Sequence, residues 1–117
     1  MKYVGKEKRR HPRFEEKLMV SYRLLDKEDV GVSQSKNISL SGMLLTTNKL
    51  FAPGTYLALD IRLPFYPTSI NIIAEVKESK EVVKDEIFDT RLSFVSMDEK
   101  HKKALQEALD YYAKKKG

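Results

Sequence analysis

The sequence predicts an all-β domain closed by one helix. Between residues 18 and 95, six short segments alternate apolar with polar residues and are joined by short turns. Behind them, one segment repeats its apolar residues at helical spacing. Short turns call for antiparallel pairing, and closing six such strands into a β-barrel would remove the exposed edges of the sheet.

The elements follow in order. Residues 1–13 have no hydrophobic periodicity, and Pro12 biases His11 away from helix, so this segment reads as an extended, flexible arm. Leu18, Val20, Tyr22 and Leu24 alternate with Met19, Ser21 and Arg23 as a first strand. The charged stretch Asp26 to Asp29 is a turn, and Val30 to Lys36 a second strand. Asn37 to Gly42 then interrupts with turn-forming residues. Met43 to Thr46 is a short third strand, ended by the Pro53-Gly54 turn. In the fourth strand, Leu57, Leu59, Ile61 and Leu63 share one face, and Pro64 and Pro67 end it. Ile70, Ile72, Ala74 and Val76 mark the inner face of a fifth strand, and a charged hairpin from Glu78 to Glu86 leads into the sixth, Phe88 to Val95.

Ser96-Met97-Asp98-Glu99 fits a capping box with Ser96 bonding forward. Ala104, Leu105, Ala108, Leu109 and Tyr112 then form an apolar stripe, so a helix from about Asp98 to Lys114 packs on the barrel. The expected division is a basic arm, 1–13, and a barrel with its helix, 14–117.

Composition narrows the chemistry. The 117 residues contain no cysteine, which removes disulfides, thiolate nucleophiles and Cys-based zinc sites. His11 and His101 are the only histidines. They sit in the arm and on the helix, where no Ser–His–Asp set or metal centre forms, so neither an enzyme nor a metal or cofactor protein is expected. No apolar run is long enough to span a bilayer and no signal segment opens the chain, so the cytoplasm is the expected compartment.

The net charge of +5 is concentrated. Lys2, Lys6, Lys8, Arg9, Arg10 and Arg13 stand against Glu7, which accounts for the whole excess. A basic arm on a slightly acidic body suggests a local anion site, not a surface coated for duplex binding.

Two motifs carry chemistry. Arg9-Arg10-His11-Pro12-Arg13 contains Arg-x-x-x-Arg from Arg9 to Arg13. Guanidinium groups pair with phosphate and with the O6/N7 edge of guanine, and they stack on base faces. The second motif is Asn37-Ile38-Ser39-Leu40-Ser41-Gly42, or Asn-x-Ser-x-x-Gly. On an extended backbone Asn37 and Ser39 share one face and offer donors and acceptors, while Ile38 points into the core. Gly42 permits a positive φ or a close approach to the backbone. His11 reads as a bystander and His101 as a surface residue. Tyr112 fits the core stripe, Tyr111 is exposed, and Phe65 and Tyr66 lie in a loop with two open readings, exposure to a partner or burial over the barrel end.

The two motifs together, with Arg-His-Pro-Arg-Phe, the six strands, and Thr90-Arg91-Leu92-Ser93-Phe94-Val95 running into a helix, resemble the PilZ domain family. The resemblance extends from Lys8 to Tyr112. It implies a stand-alone receptor for the bacterial second messenger cyclic di-GMP. Carried over, Arg9 and Arg13 bind phosphates and guanines, with Arg10 beside them, and Asn37, Ser39 and Gly42 meet a guanine. The family takes Asp or Asn at the position of Asn37, and Asn brings one carbonyl acceptor where Asp brings a carboxylate.

The resemblance further implies an arm that orders on ligand binding, an unidentified protein target in motility, exopolysaccharide or biofilm control, and a monomer or homodimer. Two other readings stand beside it. One is a barrel of the same fold acting only through protein contacts. The other is a single-stranded nucleic-acid binder, for which the chain lacks tryptophan platforms.

Overall fold

The computed structural model describes residues 12–28 and 30–116. Its elements are β1 (Met19–Leu24), β2 (Gly31–Ile38), β3 (Gly42–Thr47), β4 (Tyr56–Ile61), β5 (Ile70–Val83), β6 (Ile87–Ser96) and α1 (Glu99–Lys116). The strands close into a barrel in the order β1-β2-β3-β6-β5-β4, every pair antiparallel. The pairing of β1 with β4 seals it, with Tyr22 opposite Leu59.

The alternation puts the core where it was expected. Val20, Ile38, Met43, Leu45, Leu57, Ile61, Ile70 and Leu92 are fully buried inside the barrel. The Ala52-Pro53-Gly54-Thr55 turn closes with Thr55 N–H donating to the Ala52 carbonyl at 3.1 Å, and Gly54 takes a φ of 91°. A Pro then a left-handed Gly is the residue demand of a type II turn. Helix α1 buries Ala104, Leu105, Ala108, Leu109 and Tyr112 against the barrel. No helix among the described residues is long and apolar enough to cross a membrane.

Three elements differ from the sequence reading. β2 does not stop at Lys36 but continues to Ile38 through a register shift between Ser35 and Asn37. The shift keeps Ile38 facing inward opposite Met43. β5 continues through the charged residues to Val83, because beyond Val76 its charged side chains are all exposed and remain solvated while the backbone pairs with β6. Its turn is short and holds Asp85 at a φ of 60°, a conformation that Asp tolerates. The helix cap is Asp98, not Ser96: Asp98 Oδ1 accepts from His101 N–H at 2.9 Å, and Ser96 is the last residue of β6.

His101 is also more enclosed than expected. Its side chain is 15% exposed, and its Nδ1 accepts from the Asn71 backbone N–H at 3.0 Å. Between the two prolines after β4, Tyr66 packs on the core while Phe65 stands 80% exposed at a φ of 67°. The Phe65 ring meets the exposed Tyr111 edge-on at 4.9 Å.

Candidate functional site

A strap leads into the barrel from Pro12. Phe14 and Ile38 exchange two backbone hydrogen bonds, each 2.9 Å long, so the strap pairs with the end of β2. Burial fixes it there: the Phe14 ring lies in the core, 6.1 Å from the ring of Tyr112. Ser35, itself buried, anchors the next turn of chain. Its hydroxyl donates to the Glu16 carbonyl at 2.6 Å and accepts from Leu18 N–H at 2.9 Å. Lys115 reaches across from α1 to Glu16 at 3.4 Å.

This anchoring sets Arg13 over Asn37. Arg13 Nη1 donates to Asn37 Oδ1 at 2.9 Å, with both side chains half-buried. The contact joins the first motif to the second across 24 residues of sequence. Arg9, Arg10 and His11 lie outside the described residues.

Ser39 and Gly42 build the turn between β2 and β3. Ser39 N–H donates to the Gly42 carbonyl at 2.8 Å. The Ser39 hydroxyl accepts from Ser41 N–H and lies 3.2 Å from the Ser41 hydroxyl. Ser39 is thus buried within the turn, whereas Asn37 lies on the strand before it, and the two do not share an open face. Gly42 is required for a reason other than φ. A Cβ there would lie 2.2 Å from the Leu92 carbonyl oxygen, so only glycine lets β3 pass this close to β6.

Beyond the turn the outer face carries polar pairs. Lys36 Nζ meets Asp89 at 2.9 Å, and Arg91 Nη2 donates to Glu78 Oε1 at 3.2 Å. The sequence reading treated Glu78 as part of a solvated hairpin and gave Arg91 no role of its own. Only the β3–β6 register, which puts Leu44 opposite Arg91, brings that arginine onto the face of Asn37. An open groove of about 340 Å³ runs along the other side of the turn, lined by Leu40, Ser41, Phe94, Val95, Met97 and Lys102 among others.

The site offers hydrogen-bond donors and positive charge at Arg13 and Arg91, with the Asn37 amide between strap and barrel. Among the described residues, no group of three His, Cys, Asp or Glu side chains is placed to hold a metal ion. Behind the strap, burial chiefly, and then the negative charge of Glu16 and Tyr111, push the Tyr112 phenol up to about 12.

Solved structures align with most of the chain. The Bacillus subtilis inhibitor of motility (MotI/DgrA) superposes with a TM-score of 0.74 at 26% identity, over 92% of this chain and 52% of that one. The K. pneumonia MrkH–c-di-GMP complex gives 0.69 at 19% identity, over 94% of this chain and 56% of that one. The PilZ domain of YcgR from Escherichia coli, solved with c-di-GMP, gives 0.67 at 17% identity, over 92% of this chain and 93% of that one. The chain therefore spans about half the length of the first two proteins and nearly all of the third. No curated protein sequence matches it. A family model described as the PilZ domain matches residues 7–111, and the chain belongs to that family.

Proposed function

We propose that this chain is a receptor for cyclic di-GMP in the bacterial cytoplasm, acting by binding and not by catalysis. The observation that carries the reading is the Arg13–Asn37 contact at 2.9 Å. Two segments with the chemistry to hold a guanine nucleotide meet at one point on the outer face of the barrel. Membership of the PilZ family, and the nucleotide bound in the MrkH and YcgR structures, support the choice of ligand.

In this reading Arg9, Arg10 and Arg13 grip the phosphates and guanine edges from the strap side. Asn37 meets a guanine from the barrel side and orients Arg13. Ser39 and Gly42 act through the turn: Ser39 holds its shape from within, and Gly42 lets it lie close against β6. Ligand binding orders the arginine arm against the barrel, and that change is what a downstream protein reads. Likeness to an inhibitor of motility makes a motility component a reasonable class of target.

Calorimetric titration tests this directly. Cyclic di-GMP should bind saturably, while GTP and cyclic di-AMP should not. Arg13→Ala should weaken binding by roughly 5- to 150-fold, since a bidentate arginine–guanine contact is worth about 1–3 kcal/mol. Absence of wild-type binding at tens of micromolar ligand would overturn the reading. Binding to many single-stranded oligonucleotides that fades steadily with salt would instead mark a nucleic-acid protein.

A further inference from the structure

The outer face of the barrel carries a row of side chains in register across four strands. Asn37 of β2 lies opposite Leu44 of β3, Leu44 opposite Arg91 of β6, and Arg91 opposite Glu78 of β5. With neighbouring strands about 4.8 Å apart, the row spans roughly 14 Å. Arg13 sits at one end through Asn37. At the other end Arg91 donates to Glu78 at 3.2 Å, and the two side chains are 51% and 50% exposed. Between them lies Leu44, apolar and half-buried.

An ion pair this exposed contributes little to folding. It does present guanidinium donors and carboxylate acceptors side by side on a face that already has a ligand-binding arginine at its far end. Guanine matches that arrangement. Its O6 and N7 accept from an arginine, and its N1–H and N2–H groups donate to a carboxylate. Adenine offers a donor where guanine has O6 and an acceptor where guanine has N1–H, so both contacts would be mismatched.

Asn37 is poorly placed to supply the carboxylate's part. Its carbonyl oxygen already accepts from Arg13, and an amide has no second oxygen. Of the other carboxylates near the row, Asp89 is held by Lys36 at 2.9 Å and is only 20% exposed, and Glu75 is held by Lys77 at 3.4 Å and is 29% exposed. Glu78 is the more accessible acceptor.

We propose that the Arg91–Glu78 pair is a second guanine-reading contact of this face, taking the base of the ligand that Arg13 and Asn37 do not. The inference rests on the cyclic di-GMP reading above and extends it to two residues outside both motifs.

The test is a titration of wild type, Arg91→Ala and Glu78→Ala with cyclic di-GMP and cyclic di-AMP. Circular dichroism melting of each variant accompanies it, because both positions are exposed and the fold should survive. Each variant should bind cyclic di-GMP at least tenfold more weakly, and the preference for cyclic di-GMP over cyclic di-AMP should narrow by a similar factor. If the wild type binds and both variants stay within twofold of it, the row is structural and the inference fails while the receptor reading stands. Tighter binding by Glu78→Ala would mean that the carboxylate competes with the ligand, which overturns the pair. Weakening in Arg91→Ala alone would make that arginine a phosphate contact and likewise overturn it. No binding by the wild type would remove the receptor reading and this inference together.

Discussion

Tyr112 buries a hydroxyl along with its ring. The residue is 2% exposed, and among the described residues its oxygen has no hydrogen-bond partner. Removing such a group takes away a desolvation cost and leaves nothing unpaired. Tyr112→Phe should therefore be neutral or more stable by up to about 1 kcal/mol near neutral pH, as read by urea denaturation. The titration gives a second, separable signature. The phenol's pKa rises from the ordinary 10.0 to about 12 on folding, so the unfolded chain loses this proton first. Its contribution is fully present below pH 10 and is lost as pH rises toward 12. Wild-type stability should fall over that window by something on the order of 2 kcal/mol more than that of Tyr112→Phe. Parallel alkaline denaturation curves for the two proteins would show that folding does not raise this pKa.

At the scale of elements, the strap from Pro12 to Leu18 decides where Arg13 sits. Phe14 is its anchor, paired to Ile38 by two backbone bonds and buried beside Tyr112. Phe14→Ala should cost about 3–5 kcal/mol and weaken ligand binding beyond what partial unfolding explains. Phe14→Leu refills most of the volume and should recover much of both. Stability measured by urea, set beside calorimetric affinity, separates the two effects, and full affinity in a folded Phe14→Ala protein would show that the anchor does not position Arg13.

The strap also shows what the sequence could and could not reveal. Strand alternation was legible because a two-residue period with one buried face leaves a direct imprint, as in Leu57, Leu59 and Ile61. The two motifs were legible as chemistry. The ends of β2 and β5 were not, because the hydrogen bonds that extend them belong to the backbone and are indifferent to Asn37 or to the charges after Val76. The cap at Asp98 was missed because two residues, Ser96 and Asp98, both have capping side chains, and only the extent of β6 decides between them. The roles of Ser39 and Gly42 inside the turn required β6 to be in place, since the atom that excludes a side chain at Gly42 belongs to Leu92. Arg91 has no legible role of its own in the sequence for the same reason: its neighbours come from register.

At the scale of the molecule, the barrel is closed and its core is shared with the helix, so a ligand on the outer face stabilises the whole domain and not one loop. At free cyclic di-GMP of 100 times its dissociation constant, the gain is about 2.7 kcal/mol, which should raise the thermal midpoint by roughly 5–15 °C for a domain of this size. A thermal shift series in ligand checks this, and a flat series with cyclic di-GMP alongside a rising one with single-stranded DNA would reverse the assignment.

The β5–β6 hairpin has a consequence for how the protein behaves at high concentration. β4 pairs with β5 only from Ile70 to Glu75, so the stretch from Glu78 to Val83 is bonded to β6 on one side and, among the described residues, has no strand on its other edge. Val82, Val83 and Ile87 are exposed near its tip. An open edge beside aliphatic side chains is a template for strand addition from another copy. Lys80, Glu81 and Lys84 crowd that edge with charge, and register shifts near Val76/Glu78 and Glu81/Val83 bend it out of flat alignment. Sequence changes that strip charge from these gatekeepers should turn a surface projection into a nucleus for aggregation, read as a fall in solubility at high concentration.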